Sequence, residues 1–527
     1  MVGHSFEKYE YEAFGAKSDN YANGAFPSSS FDLITSGNDI YPGSISYNAY
    51  ALESYFFRGA ANWDNRYILN VSFRADGSSR FPKDNRYGFF PAGSLAWIIS
   101  NEKFMPKNDV LTELKLRLSV GQTGSMAGIS NWAAMSLISA GASYNGTSGF
   151  QISSSAQNIK WEKSTKYNAG IDFELFSGRL YGNIDGYYSR TDDLLYNKPV
   201  ISTTGYTSLT SNIGSIDNTG VELTVGGRVI DREFTWDLSG NFSYGKNKLT
   251  KLLDNTDIIV VGQEDLYGGN KHALIIDQPI STWYMLKAEG LYQTDDQVPE
   301  KLYDKGVRAG DVRYYDKNGD GDINDNDRVI CGKATPDFFG GITSSMSWKG
   351  IDLNIFCQYS IGGKIFSAWK GAGMEGTESL GLSSGTVTVD GREATTYFNV
   401  SEHAATHYWR GEGTSNDIPR PLIAGAHTGY DVDYNILTSS RFLEDASYFK
   451  IKTITLGYNL PQRWLDRIKM QGLKIYASID NALTFTKYTG YDPEASMSGG
   501  PASAGYGTDF GYQPTMRSFM FGLQLKF

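Results

Sequence analysis

The chain has 527 residues, a formal net charge of −10, 14% aromatic residues, 59 glycines and two cysteines. Cys331 and Cys357 are too few for a disulfide framework, and an acidic chain without a Lys/Arg cluster excludes nucleic acid as the natural partner. No apolar run of about 18 residues occurs, which excludes a transmembrane helix. Abundant Tyr, Phe and Gly predict an all-β protein with many turns.

The opening "MVGHSFEKYEYEAFG" is polar and aromatic and lacks the basic and apolar regions of a secretory signal. Residues 15–50 read as a long loop, and "DNR" at 64–66 as a tight turn. In "LKLRLSV", Leu114, Leu116, Leu118 and Val120 share one face, opposite Lys115, Arg117 and Ser119. A long loop over 123–160 leads to "GIDFEL", where Ile171, Phe173 and Leu175 alternate with Asp172 and Glu174. "SG" at 177–178 is a short turn, 192–215 a long loop and "DRE" at 231–233 a short turn again. The next strand sets Phe234, Trp236, Leu238, Gly240, Phe242 and Tyr244 against Thr235, Asp237, Ser239, Asn241 and Ser243. Residues 247–336 form the largest excursion. "KG" at 349–350 is short, 367–446 long, 461–471 short and 487–514 long. The last strand places Phe519, Phe521, Leu523, Leu525 and Phe527 on one side.

A soluble sandwich also alternates, so the period does not decide the class. Length and loop order do. Strands of about 9–13 residues suit a tilted bilayer crossing, and full charges on the polar face suit a lumen. Short and long connections alternate, as periplasmic turns and extracellular loops do in an outer-membrane barrel. The expected fold is therefore all-β, a transmembrane antiparallel β-barrel portion of about fourteen strands, located in the outer membrane.

Longer motifs then carry a resemblance. "RYILNVSFRADGSSRFPKDNRYGFFPAGSLAW" (66–97), "WEKSTKYNAGIDFELFSGRL" (161–180) and "GDVRYYDKNGDGDIN" (310–324) resemble SusC-type (RagA-type) TonB-dependent transporters. So do "LKLRLSVGQTGS" (114–125), "TPDFFGGITSSMSWKGIDLNIFCQYSIGGKIF" (335–366) and "ASYFKIKTITLGYNLP" (446–461). The resemblance implies a barrel of about 22 strands with a plugged lumen. It also implies import of oligosaccharides or peptides, a SusD-like surface lipoprotein as partner, and energy from the TonB complex. Residues 1–527 would be the C-terminal portion of that barrel, without plug, TonB box or signal peptide, and 247–336 a large extracellular loop within it. Two other readings stay open: a secreted calcium-dependent carbohydrate-binding β-protein, and a truncated barrel remnant without function.

"DKNGDGDINDND" (316–327) follows the calcium-loop order of oxygen ligands. Asp316, Asn318 and Asp320 hold places 1, 3 and 5, Gly321 the sharp turn, Asp322 place 7 and Asp327 place 12. Strands rather than helices are expected on both sides, so calcium would be a structural fastener. Catalytic chemistry is not expected: there are five His, no HExxH and no Walker loop. Loop aromatics are the candidates for substrate contact, because sugar rings stack on aromatic faces. They are Trp283, Tyr284, Tyr292, Tyr314, Tyr315, Trp409, Tyr488, Tyr491 and Tyr506.

Overall fold

The computed structural model describes residues 1–19, 39–106, 108–144, 147–154, 158–199, 208–252, 258–261, 272–370, 385–389, 392–396, 401–421, 427–430, 434–466, 470–494 and 506–527. Its main element is a 14-stranded sheet whose strands neighbour one another in chain order. The first five are β1 (Val2–Asp19), β2 (Asp39–Trp63), β3 (Tyr67–Ser78), β4 (Tyr87–Ile98) and β5 (Leu111–Ser125). Then come β6 (Glu162–Leu175), β7 (Leu180–Asp192), β8 (Ser215–Asp231), β9 (Phe234–Lys251) and β10 (Phe338–Trp348). The sheet ends with β11 (Ile351–Ile361), β12 (Tyr448–Asn459), β13 (Gly472–Thr486) and β14 (Ser518–Lys526). Among the described residues no helix is long and apolar enough to cross a membrane.

Every short connection expected from the sequence joins two adjacent strands of this sheet. Lys349 and Gly350 both have positive φ, 48° and 86°, the backbone of a two-residue hairpin turn whose twist matches the strands it joins. Asp64 and Asn65 also have positive φ, 53° and 49°, in the three-residue connection between β2 and β3. Asn and Asp accept this conformation at lower cost than branched residues.

The long connections differ from expectation. β1 and β2 are 18 and 25 residues long, beyond the 9–13 expected, so 15–19 and 39–50 of the expected loop are strand, and the rest of it lies outside the described residues. Cross-strand pairs carry the hairpin that far. Tyr9 faces Tyr50 with ring centroids 5.0 Å apart, and the Tyr47 hydroxyl donates to Glu10 Oε1 at 3.3 Å. Aromatic and polar cross-strand pairs each contribute a fraction of a kcal/mol, and they accumulate along a ladder. Residues 123–160 and 192–215 also carry hairpins of their own, Leu137–Tyr144 with Thr147–Ser154 and Leu195–Pro199 with Ser208–Asn212.

The two faces of the sheet are chemically opposite. On one, Leu69, Val71, Phe73, Leu118, Val120 and Leu456 are all more than 40% exposed. A soluble protein does not leave an apolar face of this extent uncovered. Trp63, Tyr67, Trp97 and Trp348 lie at the end of this face that carries the short turns, and Tyr55 and Tyr87 at the other. Ion pairs occupy the polar face: Arg74 with Asp76 at 2.7 Å, Lys115 with Asp172 at 3.2 Å, and Lys474 with Asp352 at 2.8 Å.

Contacts divide the chain into two compact units. The first comprises Met1–Asn101, Arg117–Ala169 and Ser189–Ile216. Its core packs Phe81, Phe90, Ile129, Ile159 and Trp161, with the Trp161 Nε1–H donating to the Arg86 carbonyl at 3.0 Å. The second comprises Glu102–Leu116, Gly170–Tyr188 and Asp217–Phe527, and holds two cores away from the sheet.

Candidate functional site

The excursion between β9 and β10 is a structured body. Thr282–Met285 pairs with Val329–Lys333, and Ala288–Leu291 with Val312–Tyr314. Its apolar residues Leu291, Val298, Leu302, Val307 and Val312 form a core that also takes Tyr434 from the next excursion. A second core joins Trp283, Met285 and Phe366 to Phe442. Two segments more than a hundred residues apart are therefore folded together.

Asp311 is the polar centre of this junction. Its side chain is wholly buried and accepts five hydrogen bonds. Arg420 donates Nε to Oδ1 at 2.9 Å and Nη2 to Oδ2 at 2.8 Å, the two-pronged guanidinium–carboxylate geometry that is the strong form of an ion pair. His427 Nε2 lies 3.0 Å from Oδ2, Asn435 Nδ2 donates to Oδ1 at 2.9 Å, and the Arg308 amide donates to Oδ2 at 2.8 Å. Burial alone would raise this carboxyl. The hydrogen bonds from His427 and Arg420 and the Arg420 charge outweigh it and hold the group below the usual carboxylate range. Asn435 thus donates through Nδ2 to Asp311 and accepts the Val312 amide on its own Oδ1 at 2.7 Å. Arg420, His427 and Asn435 escaped the sequence reading. They lie 109 to 124 residues from Asp311, and no local spacing signals such a pair.

The loop 316–327 has strands on both sides, Val312–Tyr314 and Val329–Lys333, with a single 3-10 turn at Asp325–Asp327 inside it. Asp316 accepts from the Gly319 and Gly321 amides at 2.7 and 2.8 Å, and Asn318 Oδ1 from the Asp320 amide at 3.0 Å. Asp320 Oδ1 accepts from the Asp322 amide at 2.8 Å. Asp327 is fully buried, and its oxygens accept from the Lys317 and Asn324 amides at 3.0 and 2.9 Å. The Asp322 carboxylate meets Lys305 Nζ at 2.6 Å. Burial pulls the Asp322 carboxyl upward, but the Lys305 hydrogen bond and the Ile323 amide bring it below the ordinary value. Backbone amides, Lys305 and Lys301, whose Nζ donates to the Asp320 carbonyl at 2.5 Å, thus hold the loop closed. Among the described residues no group of three or more His, Cys, Asp or Glu converges on a metal-sized space.

The aromatic candidates separate by exposure. Trp283 is wholly buried, stacks on His272 at 4.0 Å and donates Nε1–H to the Lys364 carbonyl at 3.1 Å. Tyr292 and Tyr314 belong to the first core, where the Tyr314 hydroxyl donates to the Tyr434 carbonyl at 3.0 Å. Trp409 packs against that core, and Tyr506 against the second. Tyr488 is buried and donates to Asp509 Oδ2 at 2.6 Å; burial, then that carboxylate, pushes its hydroxyl well above the ordinary range. Tyr284 is half-buried. Tyr315, at 40%, and Tyr491, at 71%, present a substantial face. Most of these rings pack in the cores that the excursions build, and Tyr315 and Tyr491 are the ones that keep an open face. The polar groups do converge, in a hollow of about 520 Å³ that Glu289, Gln293, Gln297, Arg313, Glu412 and Asn416 line.

Residues 2–482 match the family described as "TonB dependent receptor-like, beta-barrel". The chain belongs to this TonB-dependent receptor family. TonB-dependent receptor P3 of Formosa agariphila is 30% identical over 538 residues, which is all of this chain and 50% of that protein. TonB-dependent receptor SusC of Bacteroides thetaiotaomicron is 31% identical over 490 residues, covering 90% of this chain and 44% of SusC. The chain spans about half the length of the curated relatives it matches. A solved structure of the RagAB peptide importer in its closed-closed state superposes with a TM-score of 0.78 at 23% identity, over all of this chain and 53% of that one. The sheet is therefore TonB-dependent receptor barrel of the SusC/RagA type, and its apolar face is the lipid-facing surface in the outer membrane.

Proposed function

We propose that the chain is the barrel part of a SusC-like outer-membrane importer of oligosaccharides or peptides. A SusD-like surface lipoprotein is its partner and the TonB complex its source of energy. The observation that carries this reading is the external body built at Asp311, which turns two excursions into one folded surface against which a lipoprotein can close. The motif resemblance to SusC-type transporters suggests oligosaccharides, and the likeness to a peptide importer suggests peptides. Either would be bound through the polar hollow at Glu289, Gln293 and Asn416 and through the exposed rings of Tyr315 and Tyr491, because hydroxyls and peptide groups need paired donors and acceptors. Deleting the gene tests the reading. Growth on oligosaccharides or on peptides as the limiting nutrient should fail while growth on the corresponding monomers continues. Unchanged growth on both oligomers sinks it.

A structural calcium ion in the loop 316–327 is part of the same reading, supported by the order of acceptors Asp316, Asn318 and Asp320 ahead of the Gly321 turn. Because Asp, not Glu, stands at place 12, affinity belongs to the weak extracellular range of about 10⁻⁴–10⁻³ M. Millimolar calcium should then slow protease cleavage within 300–330, and chelation should restore it. Equal cleavage rates in both conditions would leave the loop's own hydrogen bonds and its lysine contacts as the fastener.

A further inference from the structure

The hollow of about 520 Å³ beside Glu289 is built from both external excursions. Leu291, Gln297 and Arg313 come from one, and Glu412, Ser415 and Asn416 from the other. Its wall is cross-braced. Gln293 Oε1 accepts from the Gly413 amide at 2.9 Å, and its Nε2 donates to the Ser415 carbonyl at 3.1 Å. Asn416 Oδ1 accepts from the Leu291 amide at 2.9 Å. Gly290 lets the two segments meet this closely: its φ is 99°, and a Cβ there would fall 2.4 Å from Asn416 Oδ1. A wall fixed before the ligand arrives has little freedom left to lose on binding.

The groups that the bracing leaves over are specific. Asn416 Nδ2 and Gln297 Nε2 are amide donors without a hydrogen-bond partner among the described residues. Glu289 is already engaged by Lys287 at 3.0 Å. Arg313 makes one hydrogen bond, from Nη2 to the Glu289 carbonyl at 3.2 Å, which holds it at the wall and leaves its charge unmatched. The Glu412 carboxylate has no partner among the described residues. One hollow is thus lined by a cation from the first excursion and an anion from the second, and no ion pair joins them.

We propose that this hollow binds a short peptide as a zwitterion, with its terminal carboxylate on Arg313 and its terminal ammonium at Glu412. This assignment rests on the importer reading and selects between its two substrate classes. A neutral oligosaccharide can use the two amides but leaves both charges to water. A peptide answers all four groups. Its carboxylate matches the guanidinium with two parallel hydrogen bonds, its ammonium donates to the Glu412 carboxylate, and the carbonyls between them accept from Asn416 and Gln297.

Calorimetric titration of the detergent-extracted protein tests this with four probes: tri-alanine, its N-acetylated form, its C-terminal amide and maltotriose. The wild-type protein should bind one tri-alanine. Blocking either end should weaken binding about tenfold, the size of one hydrogen bond to a charged group. Glu412→Gln should weaken tri-alanine by the same factor and should no longer distinguish it from the acetylated peptide. Arg313→Gln should likewise no longer distinguish tri-alanine from its amide. Both side chains are exposed, so both variants should fold, as heat-modifiable migration on gels checks. Equal affinity for the three peptides, maltotriose binding tighter than tri-alanine, or no tri-alanine binding by the folded wild type each overturn the zwitterion site. The importer reading is decided separately, by growth of the deletion strain.

Discussion

Asp311→Ala is expected to release the two external excursions from each other while leaving the sheet assembled. The wild-type carboxylate takes five hydrogen bonds in a fully buried position, four of them from Arg420, His427 and Asn435. Alanine leaves the Arg420 guanidinium, the His427 ring and the Asn435 amide without their acceptor. Breaking a buried pair in this way costs about 3–5 kcal/mol, because one charge stays behind uncompensated. The cost falls on local opening of the external body rather than on the membrane strands, since stability is distributed unevenly across a fold. Hydrogen exchange should therefore accelerate in 288–315 and 427–442 and stay unchanged in β2 to β4. Asp311→Asn keeps the shape but not the charge and should open less. Uniform acceleration over the whole chain would show that the junction supports the sheet as well.

The same carboxyl sets a pH limit. Its value in the folded protein is below the ordinary one, so its contribution is complete above the unfolded-state value near 4 and is lost as pH falls through the folded value. Opening of 288–315 should become easier only in strong acid, and Asp311→Asn should remove that acid dependence.

Val71→Arg is expected to prevent or severely weaken membrane assembly, and Ser72→Arg to be tolerated. The two residues are adjacent in β3 and point to opposite faces. Val71 is 41% exposed on the apolar face, midway between the aromatic residues that end it. A midplane arginine on the lipid face of a barrel costs about 2–4 kcal/mol, and a lumen position carries no such cost. Folding yield into phospholipid vesicles, read by heat-modifiable migration, should fall sharply for the first variant alone. Equal yields would contradict the assignment of faces.

Much of the sheet was legible because a strand writes its two environments into alternate residues. Phe234 to Tyr244 against Thr235 to Ser243 reads directly as one lipid face and one polar face, and the turns at Lys349–Gly350 and Asp64–Asn65 mark their own positions. The extent of β1 and β2 was not legible. Their tyrosines and glutamates resemble loop residues until Tyr9 meets Tyr50 and Glu10 meets Tyr47 across the hairpin. The surroundings of the aromatic candidates were illegible for a related reason. Trp283, Tyr292, Tyr314 and Tyr488 were legible as large rings in long excursions, but the same composition serves a ligand platform and a small core. Only the partners decide, and His272, Tyr434 and Asp509 come from elsewhere in the chain.

By itself the sequence determined the fourteen strands, the order of short and long connections and the family, because each depends on local period, turn chemistry or ordered motifs. The acceptor order of the loop 316–327 was also visible, including the absence of flanking helices. Tertiary structure alone decided that the excursions are folded bodies, that Asp311 joins them, and that Asp322 and Asp327 are answered by Lys305 and by backbone amides. The physical reason is the same in each case. Alternation and turns are short-range and act within a few residues, whereas burial, charge pairing and shape arise between segments whose separation in the chain carries no signal.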